Sequence, residues 1–246
     1  NDFPLTASRA LFWLTSTTLP LVLDCVTDQP PSAVYGISAA AQVVVGDHGP
    51  GTTTPAVWHV YGNCRQDLPS LAARRPASAR AVNGDGAIIG GAALPPLPAQ
   101  SVVPVRWRNV AERWRIEQLD TREGNVFGAN NSGDLAGTVR VPCGTAAACQ
   151  RAYIWYATGA SHELGTLGGA DSWARDVNGT GEVVGVSTST LRRAVNTAFF
   201  WSPNLAVGML QLPVSGQSAS ANALSDVRPD GTRLAVGESS GSAVVW

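Results

Sequence analysis

The sequence predicts an all-β protein, a β-propeller of five four-stranded blades, and three observations in phase with one another carry that prediction. Tryptophans stand at 13, 58, 107, 155, 201 and 246, each closing a short apolar run: ALFW, AVW, VRW, YIW, FFW and VVW. Hairpin signatures recur with the same period, as GISAAAQVVVG (36–46), AVNGDGAIIG (81–90), GANNSGDLAG (128–137), DVNGTGEVVG (176–185) and DVRPDGTRLAVG (226–237). Leu-bearing segments follow the tryptophans, namely LPLVL (19–23), DLPSL (67–71), IEQL (116–119), HELGTL (162–167) and MLQL (209–212). Two hairpin strands, a Trp strand and a Leu strand make four short strands per unit, and radial repetition of such units gives a propeller.

Each element has a local reason. Asn83, Asn130 and Asn178 open the turns, because a short side-chain carbonyl can bond the backbone further on. Ser38 and Arg228 stand in for Asn in the outer copies. Gly86, Gly133, Gly181 and Gly231 fall three residues later, where a type I turn followed by a left-handed residue requires positive φ. The Val, Ile and Leu after them read as buried strand, and Gly46, Gly90, Gly137, Gly185 and Gly237 close it as equivalent markers. The periodic tryptophans sit inside apolar strands, so they are read as packing between blades and not as sugar platforms. Trp114 lies outside the series and is expected at the surface.

We read residues 1–246 as one propeller domain, with units at about 10–55, 56–104, 105–150, 151–196 and 197–246. Blades ordered as hairpin, Trp strand and Leu strand leave the last one short of its Leu strand. LPLVL from the N-terminus would close it, leaving Ala10–Trp13 as a surplus Trp strand at the seam, or as the remnant of a sixth blade.

Composition narrows the function classes. Hydrophobic residues make up 44% and charged residues 14%, with 26 Gly and 16 Pro spread along the chain, which suits many short turns. All 17 basic residues are Arg and the formal charge is -1, so there is no basic footprint for nucleic acid or an anionic membrane. The absence of Lys excludes Schiff-base chemistry and the phosphate-loop motif. NGDG and NNSGD lack the ligand pattern of a calcium loop, and no cofactor or metal is expected. Four cysteines without CxxC spacing suit disulfides, with Cys143–Cys149 across PCGTAAACQ as the first pair and Cys25–Cys64 as the second. A secreted, periplasmic or cell-surface location is expected, and the Asn1 start is compatible with removal of a signal peptide.

The segments RAYIW (151–155) and TAFFW (197–201), LGTLGG (164–169) and ARDVNGTGEVVG (174–185) resemble the extracellular HAF-repeat family of bacteria. The fourth unit matches closely, the second and third well, and the first and fifth drift. The resemblance implies a secreted or surface-exposed propeller and no reaction.

Turns of an up-and-down blade alternate between two edges. Hairpin turns and Trp-to-Leu connections share one edge; the segments after each marker Gly and the crossings between blades share the other. The second edge has the longer and more varied segments, 47–55, 91–104, 138–150 and 186–196, and recognition is expected there. The candidate contacts are Asp47, His48, Arg74, Arg75, Arg122, Glu123, Asp171, Trp173, Arg192 and Arg193, with Trp173 as an aromatic platform and the others as a hydrogen-bonding rim for carbohydrate or another surface molecule. A glycoside hydrolase using Asp47, Asp120 and Asp171 is the catalytic alternative, since such carboxylate pairs need a separation of about 5–9.5 Å. His48, His59 and His162 are scattered and G-x-S-x-G is absent. A third reading is a protein-binding or adhesive module of a larger surface protein.

Overall fold

The computed structural model describes residues 11–12, 21–22, 32–39, 42–49, 53–60, 65–144, 147–190, 195–206, 208–214 and 216–246. All strand pairs of its sheets are antiparallel and in chain order, so each sheet is a meander. The first blade runs β3 (Ser32–Ile37), β4 (Val43–His48), β5 (Thr54–His59), β6 (Arg65–Asp67). The second runs β7 (Ala77–Val82), β8 (Ile88–Ala93), β9 (Val103–Val110), β10 (Arg113–Gln118), and the third β11 (Gly124–Ala129), β12 (Leu135–Cys143), β13 (Ala147–Trp155), β14 (Ser161–Gly165). The fourth is β15 (Gly168–Val177), β16 (Val183–Ser189), β17 (Val195–Trp201), β18 (Met209–Gln211), and the fifth β19 (Ala219–Leu224), β20 (Ala235–Ser239), β21 (Ser242–Val245). The chain is a five-bladed β-propeller whose strand order within a blade is the one read from the repeat.

Two short strands precede these, β1 (Leu11–Phe12) and β2 (Leu21–Val22), and they pair with each other. The fifth sheet therefore has three strands among the described residues, and the Leu strand expected to complete it is bonded to the surplus Trp strand instead.

The chain forms two compact units, Asn1–Gln118 and Leu119–Trp246. The core of the first joins Val43, Val45 and Val57 of one blade to Ala79, Ile89, Val105 and Trp107 of the next. That of the second joins Ala136, Ala152 and Ile154 to Ala174, Val183, Phe199 and Trp201, and Val184 and Ala198 to Ala219, Ala221 and Ala235. Trp58, Trp107, Trp155 and Trp201 are at most 5% exposed, which fits packing between blades and leaves no open ring face for a sugar. The Trp107 and Trp246 indole N–H groups donate to the carbonyls of Pro69 and Pro213, each two residues past the fourth strand of the preceding blade. Trp114 is half-buried rather than exposed, packed on the first core with its N–H donating to Gln66.

One backbone feature recurs in every blade. The first strand carries a β-bulge opposite the second strand, with the extra residue at Tyr35, Arg80, Phe127, Arg175 and Asn222. Facing each bulge is a glycine, at Gly46, Gly91, Gly137, Gly185 and Gly237. A Cβ there would stand 1.9–2.0 Å from the carbonyl oxygen of Ala33, Ser78, Asn125, Trp173 or Ser220. The marker glycine is thus required by close backbone approach at a bulge. In the second blade it is Gly91, whereas the motif alignment selected Gly90, because the second turn is one residue longer than those at Asn130 and Asn178.

The turns explain that offset. In all five blades one residue exchanges two bonds with a single partner across the hairpin: its N–H donates to the partner's carbonyl, and its side-chain oxygen accepts from the partner's N–H. The pairs are Ser38–Val43, Asn83–Ile88, Asn130–Asp134, Asn178–Glu182 and Ser225–Leu234. The marker glycine lies three residues after the partner each time. In the fifth blade the equivalent of Asn is therefore Ser225, not Arg228. Arg228 and Gly231 form an additional turn at the tip of a longer loop. Gly86, Gly133, Gly181 and Gly231 adopt φ of +75° to +91°, as the motif requires.

The turn Asn also bonds between blades. Asn130 Nδ2 donates to the Asn178 carbonyl at 2.8 Å, and Asn178 Nδ2 donates to the Ser225 carbonyl at 3.3 Å. The same repeat position is latched to its successor across two consecutive blades of the second unit. Two outcomes follow. Replacement Gly185→Ala should cost about 3 kcal/mol or more in urea unfolding, since the Phe199 ring also blocks the site; Gly159→Ala, in an open turn at φ +92°, should cost about 1–2 kcal/mol. Asn130→Asp keeps the turn acceptor but removes the donor and sets a second carboxylate beside Asp134. Chemical denaturation should show a loss of about 1–3 kcal/mol.

Candidate functional site

Several of the segments that sequence reading left as loops are continued by strand. Asp47 and His48 end β4, Thr138–Cys143 and Ala147–Gln150 extend the β12–β13 hairpin, and Asp171 and Trp173 lie inside β15. The bonding confirms the division into two edges within the second unit. Ala157, in a Trp-to-Leu connection, donates its N–H to Asp134 beside a hairpin turn, while Glu123, in a crossing, pairs with Arg140 of the extended hairpin at 3.1 Å. Cys143 and Cys149 form the expected disulfide across that hairpin, their Cα atoms 5.7 Å apart. Cys25, Cys64, Arg192 and Arg193 lie outside the described residues.

Most of the expected contacts are already engaged by the protein. Asp47 and His48 are buried, and His48 Nε2 lies 2.8 Å from Asp67 Oδ1, which also accepts from Arg65. Arg75 donates to the Pro95 and Ala99 carbonyls, tying down the segment between β8 and β9. Arg74 is exposed and adopts φ +59° in the crossing to β7. Trp173 is half-buried opposite Val186.

Arg122 organises a polar group at the crossing edge. Its guanidinium makes two bonds to Asp120, at 3.0 and 2.6 Å, donates to Tyr153 Oη at 3.2 Å, and stacks 5.1 Å above the Tyr153 ring. Tyr153 donates to Glu163 at 2.9 Å, and Glu163 pairs with Arg151 at 3.3 Å. Arg151 also donates to the Ala170 carbonyl, next to Asp171, whose carboxylate accepts the Gln150 N–H at 2.8 Å. A continuous network thus runs from Asp120 to the start of β15. Burial alone would raise the Asp120 carboxyl, but the hydrogen bonds and charge of Arg122 outweigh it and hold the group below the usual carboxylate range. Bonding to Asp120 likewise raises the Arg122 guanidinium.

Tyr153, Glu163 and Arg151 were not among the expected site residues. Strand parity could have found two of them: Arg151 and Tyr153 precede Trp155 by four and two residues and so share its face. Glu163 is brought in by a register shift between Ala152 and Tyr153, which no spacing encodes.

At the opposite edge the most perturbed acid is Asp176. It is pushed up to about 6 from an ordinary 3.8 by burial, against the pull of two backbone N–H donors, Leu224 at 2.8 Å and Val177 at 2.9 Å. The Leu224 bond crosses from the fourth blade to the fifth, so this carboxyl acts as a clamp between them. Among the described residues no group of His, Cys, Asp or Glu is placed to hold a metal ion, and no helix is long and apolar enough to cross a membrane.

Solved structures share the fold at low identity. TolB from Acinetobacter baumannii superposes with a TM-score of 0.58 at 12% identity, over 94% of this chain and 54% of that one. A structure from a study of two prolyl endopeptidases gives 0.61 at 11%, over 98% and 38%, and the protein lmo1340 from Listeria monocytogenes 0.51 at 8%, over 91% and 67%. The chain spans about half the length of the TolB chain. No family model and no curated protein matches the sequence.

The clamp predicts a pH dependence. A carboxyl whose folded pKa lies above its unfolded value stabilises fully below about pH 4, and that contribution is lost as pH rises through about 6. Asp176→Asn keeps an acceptor for Leu224 but does not titrate. The stability of the unsubstituted protein relative to this variant should therefore fall by on the order of 2–3 kcal/mol between pH 4 and pH 7. A difference that stays constant across this range would contradict the assignment.

Proposed function

We propose that this propeller is a non-catalytic binding module of the HAF-repeat type, acting outside the cytoplasm and recognising carbohydrate or another surface molecule along its crossing edge. The observation that carries the reading is the state of the carboxylates. Asp120 is committed to Arg122 and Asp171 to the Gln150 N–H, and the lowered acidity range of Asp120 is opposite to what a general acid needs. Groups held this way present a fixed pattern of donors and acceptors, which suits recognition by shape and hydrogen bonding. Arg122 and Glu163 keep 39% and 41% side-chain exposure at the edge, enough for a ligand to reach them. The Cys143–Cys149 disulfide supports an oxidising compartment.

Glycan-array binding is the direct test. A specific glycan signal should fall at least about tenfold in Trp173→Ala and in Arg122→Ala, equivalent to about 1.4 kcal/mol or more. A silent array counts against carbohydrate, and polysaccharide turnover abolished by Asp120→Ala would replace this reading with the hydrolase.

A further inference from the structure

The bulges present one side chain per blade at equivalent positions: Tyr35, Arg80, Phe127, Arg175 and Asn222. Two neighbouring pairs, each within its own compact unit, have the same construction. The Arg80 guanidinium carbon lies 4.8 Å from the centre of the Tyr35 ring, and that of Arg175 lies 5.4 Å from the centre of the Phe127 ring. In each pair the aromatic residue belongs to one blade and the arginine to the next. The blades are close enough for this because a glycine follows each aromatic: a Cβ on Gly36 would meet the Arg80 carbonyl at 3.3 Å, and one on Gly128 would meet the Asp176 backbone at 2.7 Å.

These arginines differ from those at the crossing edge. Arg122, Arg140 and Arg151 are paired with carboxylates. Arg80 and Arg175 have no hydrogen-bond or ion-pair partner among the described residues, and the Nε of Arg80 is buried without one. A buried guanidinium N–H without an acceptor is costly unless something satisfies it. Stacking on the ring fixes the plane of the guanidinium and leaves its fork of donors available to a bidentate acceptor. The rings are also available in part: Tyr35 is 46% exposed and Phe127 half-buried.

We propose that the Tyr35–Arg80 and Phe127–Arg175 pairs are two copies of a recognition element for a carboxylated sugar, a uronic acid residue of an acidic polysaccharide. The uronate carboxylate occupies the guanidinium fork and the pyranose ring packs on the aromatic. An Asp or Glu side chain would engage the cation alone and leave the ring unused, so the pairing of the two groups favours the sugar over an acidic peptide. The element is separate from the crossing-edge residues and does not depend on them.

Titration calorimetry of the full chain with oligogalacturonate at low ionic strength tests this. Binding is expected, absent with the methyl-esterified oligomer, and weakened at least about tenfold in Arg80→Ala and in Arg175→Ala. Tyr35→Leu should weaken it as well, and Arg175→Lys, which keeps the charge but not the fork, should restore only part of it. The three substituted positions are bulge residues of the first strands, exposed at Tyr35 and Arg175 and half-buried at Arg80, and unchanged thermal unfolding identifies folded variants. The proposal is overturned if oligogalacturonate does not bind, if it binds equally to both alanine variants, or if polyglutamate binds instead and is lost in the same variants. Loss of uronate binding in Trp173→Ala but not in the arginine variants would uphold the crossing-edge reading and remove this one.

Discussion

The structure depends on one close approach of backbone to backbone. In every blade the carbonyl of a bulged first strand comes so near the second strand that only a residue without Cβ fits opposite, and the distance such an atom would have is nearly the same five times over. The bulge fixes the pairing register of the hairpin, and with it the face on which each Val, Ile and Leu is buried. The third strand pairs along the second and carries its tryptophan into the space between blades. Packing therefore follows from register, and register from the glycine.

This ordering explains what could be read in advance and what could not. The period, the four strand types and the positive φ of the turn glycines were legible, because each rests on local chemistry that repeats: an Asn, a Gly, an apolar run. The equivalence of Gly91 rather than Gly90, and of Ser225 rather than Arg228, was hidden. A turn can take in extra residues without disturbing the two bonds that close it, so counting along the chain slips while the hairpin does not. Ser38 and Ser225 show that the closing task needs only one side-chain acceptor. Asn has a second group, and Asn130 and Asn178 use it to reach the next blade.

The crossing edge was legible in composition and misleading in detail. Arg, Asp and Glu in long segments between strands read as solvated or ligand-facing. Several of those segments continue the ladder, however, and strands running that far bring the charges of adjacent elements together. Arg140 of the extended hairpin and Glu123 meet for this reason, whereas the register shift beside Tyr153 brings Glu163 to the group that Arg122 and Asp120 form from the crossing. An Arg that looks available in a sequence is available only if the neighbouring strand ends early, and strand length is set by pairing that a single chain segment does not reveal.

The same constraint also indicates where variation is free. A bulge inserts one residue that pairs with nothing, so its side chain is exempt from the register that governs its neighbours. The residues on either side are small or aliphatic in most blades, while the bulged position holds Tyr, Arg, Phe, Arg and Asn in turn. Were these residues needed only to form the bulge, nothing would require aromatic and cationic groups to face one another across neighbouring blades. Their stacking shows that the fold has a class of position whose backbone is fixed by the repeat and whose chemistry is not. In a protein built from near-copies, such positions let individual blades differ in what they present without altering how they pack.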